Sequence, residues 1–447
     1  MARVLLILPT GTYRADEYLD AAERLGVEVV VGSERAQALA AQMGERFIEL
    51  PLGDPPEAAR RIVAQARQDP RLGLDAVIGV DDQGLLAAAL AATELGLAHN
   101  PPSAVALTRD KAAMRRTFSA AGVPQPSYEV VAGDVADAVA GAAGRLGPAV
   151  VVKPCTLSGS RGVIRVDSPT EASAAALRIG AIIEGEGEPA GSALLVEGFV
   201  PGPEVAVEGM LRDGRAEIIT IFDKPDPLDG PYFEETLYVS PTRLPPHLRE
   251  AVVRATQAAV GALGLTDGPF HAELRVPGAL RTGGETVAVL EVAARTIGGR
   301  CSKAMILQDG SSLEELVILN ALGRPYPTPA LASACGVLMI PIPSSGTLTS
   351  VGGIDDVRSL PLITGVEITI PLGRPVRALP EGDRYLGFVF AAGEDGAGVE
   401  AALREAEELL DVEIVAGVSG AGTAGGGEAG TAASTPVELG EARDTVS

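Results

Sequence analysis

Over the first hundred residues, short apolar runs alternate with segments of helical periodicity, and this alternation constrains the fold more than any other feature. The runs are V-L-L-I-L (4–8), V-E-V-V-V (27–31) and A-V-I-G-V (76–80), and between them lie D-E-Y-L-D-A-A-E-R-L (16–25) and P-E-A-A-R-R-I-V-A-Q-A-R (56–67). Such spacing predicts a parallel, doubly wound α/β unit. Composition agrees: hydrophobic residues make up 46% of the chain, yet aromatics are 3% and Trp is absent, so Ala, Val, Leu and Ile must fill the cores. That mix suits parallel sheets covered by Ala-rich helices. The turn after the first run, L-P-T-G-T (8–12), lacks G-x-G-x-x-G, so no dinucleotide site is expected. Asp81 and Asp82 follow the third run; they either face the ligand edge of an open sheet or cap the next helix.

Beyond a break at H-N-P-P-S (99–103), residues 103–122 read as one helix closed by Gly122, and Pro124 and Pro126 mark the next boundary. From 127 to about 200 the pattern is a small α+β segment containing V-V-V-K (150–153), a glycine-rich turn, G-V-I-R-V (162–166), a helix and A-L-L-V-E (193–197). Longer strands of antiparallel character run to 292, interrupted by a helix near 247–263. A helix at 311–322 and P-Y-P-T-P (325–329) close that region. Residues 330–415 read as a further α/β piece ending in a helix at 399–410, and the low-complexity tail is expected to be disordered.

The formal net charge of -23 argues against a nucleic-acid or anionic-membrane partner, because phosphate neutralisation needs a basic surface. No apolar run is long enough to span a bilayer, and the N-terminal stretch is too short for a signal segment. Three scattered cysteines, Cys155, Cys301 and Cys335, fit buried thiols in a reducing, cytoplasmic setting. Only four lysines occur among 36 basic residues (Lys111, Lys153, Lys224, Lys303), which makes each retained lysine informative.

Four stretches carry chemistry. In V-V-V-K-P-C-T-L-S-G-S-R-G-V (150–163) a buried strand delivers Lys153 beside a small-residue turn whose backbone N–H groups suit a phosphate; alone, the same residues also describe a hairpin with a surface lysine. The second, L-L-V-E-G-F-V-P-G-P-E-V-A-V-E (194–208), is a strand, a Gly/Pro connector and a new strand at Glu204; it suits a nucleotide base and ribose, or an ordinary crossover. In G-P-F-H-A-E-L-R-V (268–276), alternation puts His271 and Glu273 on one strand face. The last is V-A-V-L-E-V-A-A-R-T-I-G-G (287–299), where Glu291 interrupts an apolar strand. If the two strands are neighbours, Glu273 and Glu291 meet, and paired carboxylates with no lysine nearby in sequence favour Mg2+; either glutamate alone reads equally as an ion-paired or solvent-exposed charge.

The order of these parts resembles the ATP-grasp superfamily over roughly residues 1–415: a lysine on a helix, strand–lysine–glycine turn, E-x-x-V-x-G-x-E (197–204), a strand glutamate, then E-x-x-x-R-x-x-G-G (291–299). The resemblance implies an α/β ATP-grasp fold. Its expected parts are an N-terminal Rossmann-like (pre-ATP-grasp) domain over 1–102 and an ATP-grasp region over 103–325 with a small lid at about 127–198. A C-terminal α/β subdomain over 326–415 and the tail over 416–447 follow. It also implies ATP with Mg2+, or Mn2+ in its place, and ADP-forming ligation of a carboxylate to an amine through an acyl-phosphate. Carried over by position, Lys111 and Lys153 meet ATP phosphates, and Ser158, Gly159, Ser160 and Gly162 form the phosphate turn. Glu197, Phe199 and Val200 belong to the adenine connector and Glu204 to the ribose. Glu273 and Glu291 ligate the metal, Arg295 stabilises the transferring phosphoryl group, and Gly298 and Gly299 hold the carboxylate substrate.

The segment after Glu291 lacks the Gln and Glu of the biotin carboxylase branch, so carboxylation is not expected. Stretches 221–241 and 336–349 are instead similar to the L-amino acid ligase group. This makes Asp223, Lys224, Tyr232, Glu234 and Glu235 candidates for the substrate pocket, with Glu235 or His271 orienting or deprotonating the amine. Ala293 stands where many ATP-grasp enzymes place an Asn ligand. The expected partners are a small-molecule carboxylate and an amine, and relatives allow a homodimer. Two alternatives are an ATP-grasp ligase with a nucleophile other than an amino acid and an inactive nucleotide sensor.

Overall fold

The chain builds its N-terminal layer from β1 (Arg3–Ile7), α1 (Ala15–Arg24), β2 (Glu28–Ser33), β3 (Phe47–Glu49), α2 (Pro55–Gln68), β4 (Ala76–Gly79) and α3 (Asp82–Leu95). The computed structural model describes residues 1–35, 46–69, 72–132, 135–187, 189, 191–280 and 287–416; all but the first residue of the expected tail lies outside the described residues. The four strands run parallel in the order β3-β2-β1-β4. In β1, Val4, Leu5, Leu6 and Ile7 are all buried, as a strand covered on both faces requires. Strand β4 and helix α3 touch so closely that a Cβ at Gly79 would lie 2.7 Å from the Gly84 carbonyl carbon. That approach sets Asp81 and Asp82 at the sheet's C-terminal edge.

Residues 103–122 do not form one helix. Helix α4 (Pro102–Arg109) stops at Asp110, whose extended backbone and side chain cap α5 (Lys111–Ala121) by accepting from Ala113 N at 3.0 Å. Lys111 therefore begins a new helix, and its backbone N–H donates to Cys155 O at 2.9 Å.

The lid is a separate antiparallel sheet made by β5 (Tyr128–Val131), β6 (Val150–Pro154), β7 (Ile164–Val166) and β8 (Leu194–Gly198), ordered β5-β8-β6-β7. Helices α6 (Val135–Leu146) and α7 (Pro169–Gly185) pack on it, and Val152, Val196, Ile179 and Ala176 form a core of its own.

The central sheet has eight strands among the described residues. They are β9 (Glu204–Arg212), β10 (Arg215–Lys224), β11 (Leu237–Ser240), β12 (Gly268–Arg275), β13 (Ala288–Ala293), β14 (Ala334–Ile340), β16 (Ile363–Ile368) and β18 (Gly387–Gly393), in the order β13-β12-β9-β10-β11-β14-β18-β16. All the pairings are antiparallel. Helix α8 (Pro246–Leu263) covers one face over Val205, Val207, Phe270 and Leu274. On the other face, Ala206, Phe222, Tyr238 and Val337 share one core with Val4, Leu6 and Tyr18 of the N-terminal layer and Leu316 of α9 (Leu313–Ala321). Burying one such large side chain is worth about 1.5–3 kcal/mol, so the N-terminal sheet is fixed firmly against the central one.

The C-terminal residues thus extend the central sheet through β14, β16 and β18. A second small sheet pairs β15 (Gly346–Gly352) with β17 (Pro375–Val376) and β19 (Asp411–Val415). Helix α10 (Gly396–Leu409) is followed by β19, so the described chain ends in a strand where the periodicity had suggested a final helix. No helix of the described residues is long and apolar enough to cross a membrane.

Candidate active site

A cleft of about 620 Å³ lies where the N-terminal, lid and central sheets converge. The central sheet supplies its floor. Strands β12 and β13 pair with Glu273 directly opposite Glu291 and His271 opposite Ala293, so the two glutamates expected to meet are cross-strand neighbours. Both stay partly open to the cleft. The lysines absent from their local sequence arrive from elsewhere in the chain: Lys111 Nζ lies 3.1 Å from Glu291 and Lys224 Nζ 3.2 Å from Glu273.

Lys224 projects from the end of β10 into a knot of carboxylates. Its ammonium donates to Glu204 at 2.6 Å, to Glu235 at 2.7 Å and to Glu273 at 3.2 Å. Three of these carboxylate oxygens lie within 4.8 Å of one another, a spacing that resembles a metal cage, but the ammonium already sits among them. Burial alone would lower the Lys224 pKa; the three carboxylates more than reverse this and hold it well above its ordinary value. Glu273 goes the other way. Burial opposes its charge, but Lys224 and His271 hold it well below the usual carboxylate range. Burial, with help from the charge on Glu273, keeps Glu235 above that range in spite of Lys224. Glu204 spends its second oxygen on Arg275 Nε at 2.8 Å.

The lid supplies the roof. Lys153, at the end of β6, is buried and reaches Glu197 on β8 at 2.7 Å, and Arg115 of α5 donates to the other oxygen of Glu197 at 2.5 Å. Burial lowers the Lys153 pKa against the pull of Glu197. Arg115 also donates to Leu290 O at 2.6 Å, which ties the lid strand to the strand that carries Glu291. Ser158, Gly159 and Ser160 line the cleft, and Lys111 Nζ donates to Leu157 O at 2.7 Å beside them. Gly162 faces away, its N–H given to Pro380 O at 2.9 Å. Phe199 and Val200 line the cleft, with the Arg165 guanidinium 4.2 Å from the Phe199 ring centre.

The N-terminal layer closes the third side. Arg295 Nε lies 3.1 Å from Asp82, while Arg14 lies 3.3 Å from Asp81 and donates to Ile297 O at 2.7 Å. Asp81 and Asp82 therefore face the cleft edge, and neither side chain caps α3. Burial opposes ionisation of Asp82, but Arg295 and Arg109 hold its pKa down at about 2. Gly299 donates to the Tyr13 hydroxyl at 3.0 Å. Its φ of +61° and the Met339 Sδ atom 2.3 Å from where a Cβ would stand both require glycine. Gly299→Ala is expected to destabilise the fold by about 1–2 kcal/mol. Thermal unfolding checks this; an unchanged midpoint would contradict it.

Four substrate candidates do not line the cleft: Lys224 is buried beneath it among its carboxylates, and three others lie elsewhere. Asp223 lies on the face of β10 away from Lys224 and pairs with Arg243 at 3.2 Å. Tyr232 packs against the lid, its hydroxyl accepting from Arg178 at 2.5 Å, and Glu234 accepts from Ile342 N at 3.2 Å. Sequence reading passed over Arg115, Arg14, Tyr13 and Glu208. For Arg115 a signal existed: it stands four residues after Lys111 and so shares its helix face.

Three interlocking sheets around a lysine- and glutamate-lined cleft define the class as an ATP-grasp protein. Comparison with known families agrees: residues 146–304 match the ATP-grasp domain, 19–99 the ATP-grasp N-terminal domain and 338–415 the L-amino acid ligase C-terminal domain 2. The chain thus carries the domains of the ATP-grasp superfamily and resembles its L-amino acid ligases. The crystal structure of L-amino acid ligase from Bacillus licheniformis superposes with a TM-score of 0.74 at 25% identity, covering 93% of this chain and 99% of that one. Carnosine synthase 1 of Mus musculus is 28% identical over 62% of this chain, and alanine–anticapsin ligase of Bacillus subtilis (strain 168) is 25% identical over 49%. The chain spans 35% and 48% of the lengths of those two relatives.

Proposed function

We propose that the protein is an ATP-dependent, ADP-forming ligase that joins the carboxylate of an amino acid to an amine through an acyl-phosphate. The observation that carries this reading is the cross-strand pair Glu273–Glu291, flanked by Lys111, Lys153 and Arg295 around one cleft. The L-amino acid ligase C-terminal domain match supports an amino acid as the acid substrate.

Two opposed, part-exposed carboxylates fit a hard divalent cation, Mg2+ or Mn2+, whereas the Glu204–Glu235–Glu273 group does not, because Lys224 occupies it. A cation held by Glu273 and Glu291 supplies charge neutralisation for the phosphates. Lys111 and Lys153 bind phosphate oxygens, and the Ser158–Ser160 turn adds backbone N–H donors. The substrate carboxylate, held near Arg295, Gly298 and Gly299, attacks the γ-phosphorus; the bond to the β-phosphate oxygen breaks and ADP leaves. The amine then attacks the acyl carbon, phosphate leaves, and the nitrogen loses a proton. Glu235 and His271 lie close enough to the knot of charges to orient that amine. Arg295 neutralises charge as it builds on the phosphoryl oxygens, and freeing it from Asp82 is part of substrate binding.

Arg295→Met is expected to lower turnover about a hundredfold or more with ATP affinity little changed, since one electrostatic donor at a transition state is worth roughly that much. Steady-state kinetics and nucleotide titration check it; a loss confined to ATP affinity would contradict the assigned role. Transfer of one 18O from a labelled substrate carboxylate into the released phosphate tests the acyl-phosphate itself, and unlabelled phosphate would refute it. We further propose that 1–102, 103–325 and 326–415 act as the functional units, in a reducing cytoplasm consistent with three free buried thiols.

A further inference from the structure

Behind the floor of the cleft stands a carboxylate that the reaction as described does not use. Glu208, on β9, is wholly buried and lies directly across the strand pair from His271. One oxygen accepts from Ile297 N at 3.0 Å, inside the segment that carries Arg295, Gly298 and Gly299. The other oxygen, Oε1, has no hydrogen-bond partner among the described residues, and His271 Nδ1 has none either; Nδ1 lies 3.6 Å from Oε2, the oxygen that accepts from Ile297 N. On its far edge, His271 Nε2 lies 3.4 Å from Glu273 Oε1. A buried carboxylate without a full set of partners costs free energy, and the imidazole across the strand pair presents an equally unpartnered nitrogen to it.

We propose that Glu208 is a positioning residue: it holds His271 by the Nδ1 edge, aims Nε2 at the cleft, and pins the 295–299 segment through Ile297 N. The 3.6 Å approach lies just beyond ordinary hydrogen-bond length. One side chain thus couples the floor of the site to the segment that bears Arg295. The catalytic consequence rests on the ligase reading; the contact itself does not.

The chain contains three histidines, His99, His247 and His271, so 15N-histidine NMR resolves the imidazole in question. In the wild-type protein the His271 Nδ1 is expected to carry a hydrogen-bonded proton. In Glu208→Gln the carboxamide keeps the volume and the acceptor for Ile297 N but can offer an NH2 to Nδ1, so the Nδ1 resonance should move while those of His99 and His247 stay. Amine-dependent ADP release should fall tenfold or more in that variant with the Michaelis constant for ATP within twofold. The double variant Glu208→Gln/His271→Ala should be no slower than His271→Ala alone, because the two residues act as one unit. A bare Nδ1 in the wild type, an unmoved resonance in Glu208→Gln, or multiplying losses in the double variant would overturn the proposal. If the wild type releases no ADP with any amino acid, the ligase reading fails, and the spectra still decide the role of Glu208.

Discussion

Glu291→Ala is expected to lower ADP-forming turnover about a thousandfold or more, equivalent to ~4 kcal/mol of transition-state stabilisation. The size follows from what the substitution leaves behind. Glu273 cannot alone provide the paired donor set, because Lys224 and His271 already contact it. Lys111, 3.1 Å from Glu291, would lose its counter-charge and be drawn towards the phosphates or its other partner, Leu157 O. ATP should therefore still bind, held by two lysines and the lid turn, but without the cation that organises phosphoryl transfer. Turnover measured across a range of Mg2+ concentrations, beside nucleotide affinity, checks this. Activity that persisted at ordinary Mg2+ would remove Glu291 from the metal site.

A loss of similar size, in stability, is expected at Arg115. The guanidinium is almost fully buried and bonds Glu197, Leu290 O and, more weakly, Val289 O. Arg115→Met keeps much of the volume but leaves Glu197 with Lys153 as its sole charged partner and two strand carbonyls without this donor. Removing one member of a buried charge network costs about 3–5 kcal/mol, mostly as the penalty on the charge left behind. Denaturant unfolding should show that loss, and ATP affinity should fall with it, because Lys153 and the Glu291 strand are both held by this residue. A change below about 1 kcal/mol would mean that Glu197 is neutralised adequately by Lys153 alone, and the linking role of Arg115 would be wrong.

The sequence made some of this legible and hid the rest for definite reasons. Strands β1, β2 and β4 announce themselves as continuous apolar runs because a parallel sheet is buried on both faces. Strand β3 is three residues long, too short to leave a periodic signal. The break between α4 and α5 escaped notice because helical periodicity continues through it, and only Asp110 as a cap marks the stop. The final strand β19 was absorbed into the helix before it, since V-E-I-V carries as much apolar character as a helix end.

The pairing of Glu273 with Glu291 could be anticipated because Glu291 is a lone carboxylate in an apolar strand and Glu273 shares a strand face with His271. Their lysine partners could not, for Lys111 and Lys224 come from distant parts of the chain and meet the glutamates only through tertiary structure. Asp223 and Lys224 are a lesson in alternation. Adjacent residues of β10 point to opposite faces, so only Lys224 enters the knot of carboxylates. Glu208 stayed hidden because one charge inside a buried strand gives no clue to the histidine across from it.

The central claim is ADP-forming ligation of an amino-acid carboxylate to an amine, and incubation with ATP, Mg2+ and pooled L-amino acids tests it most directly. ADP, phosphate and product masses would be followed together. The account predicts that ADP and phosphate appear in equal amounts only when amino acids are present, with a product whose mass equals two substrates less one water. Release of AMP and pyrophosphate, or ATP binding with no substrate-dependent turnover across a broad panel, would contradict it.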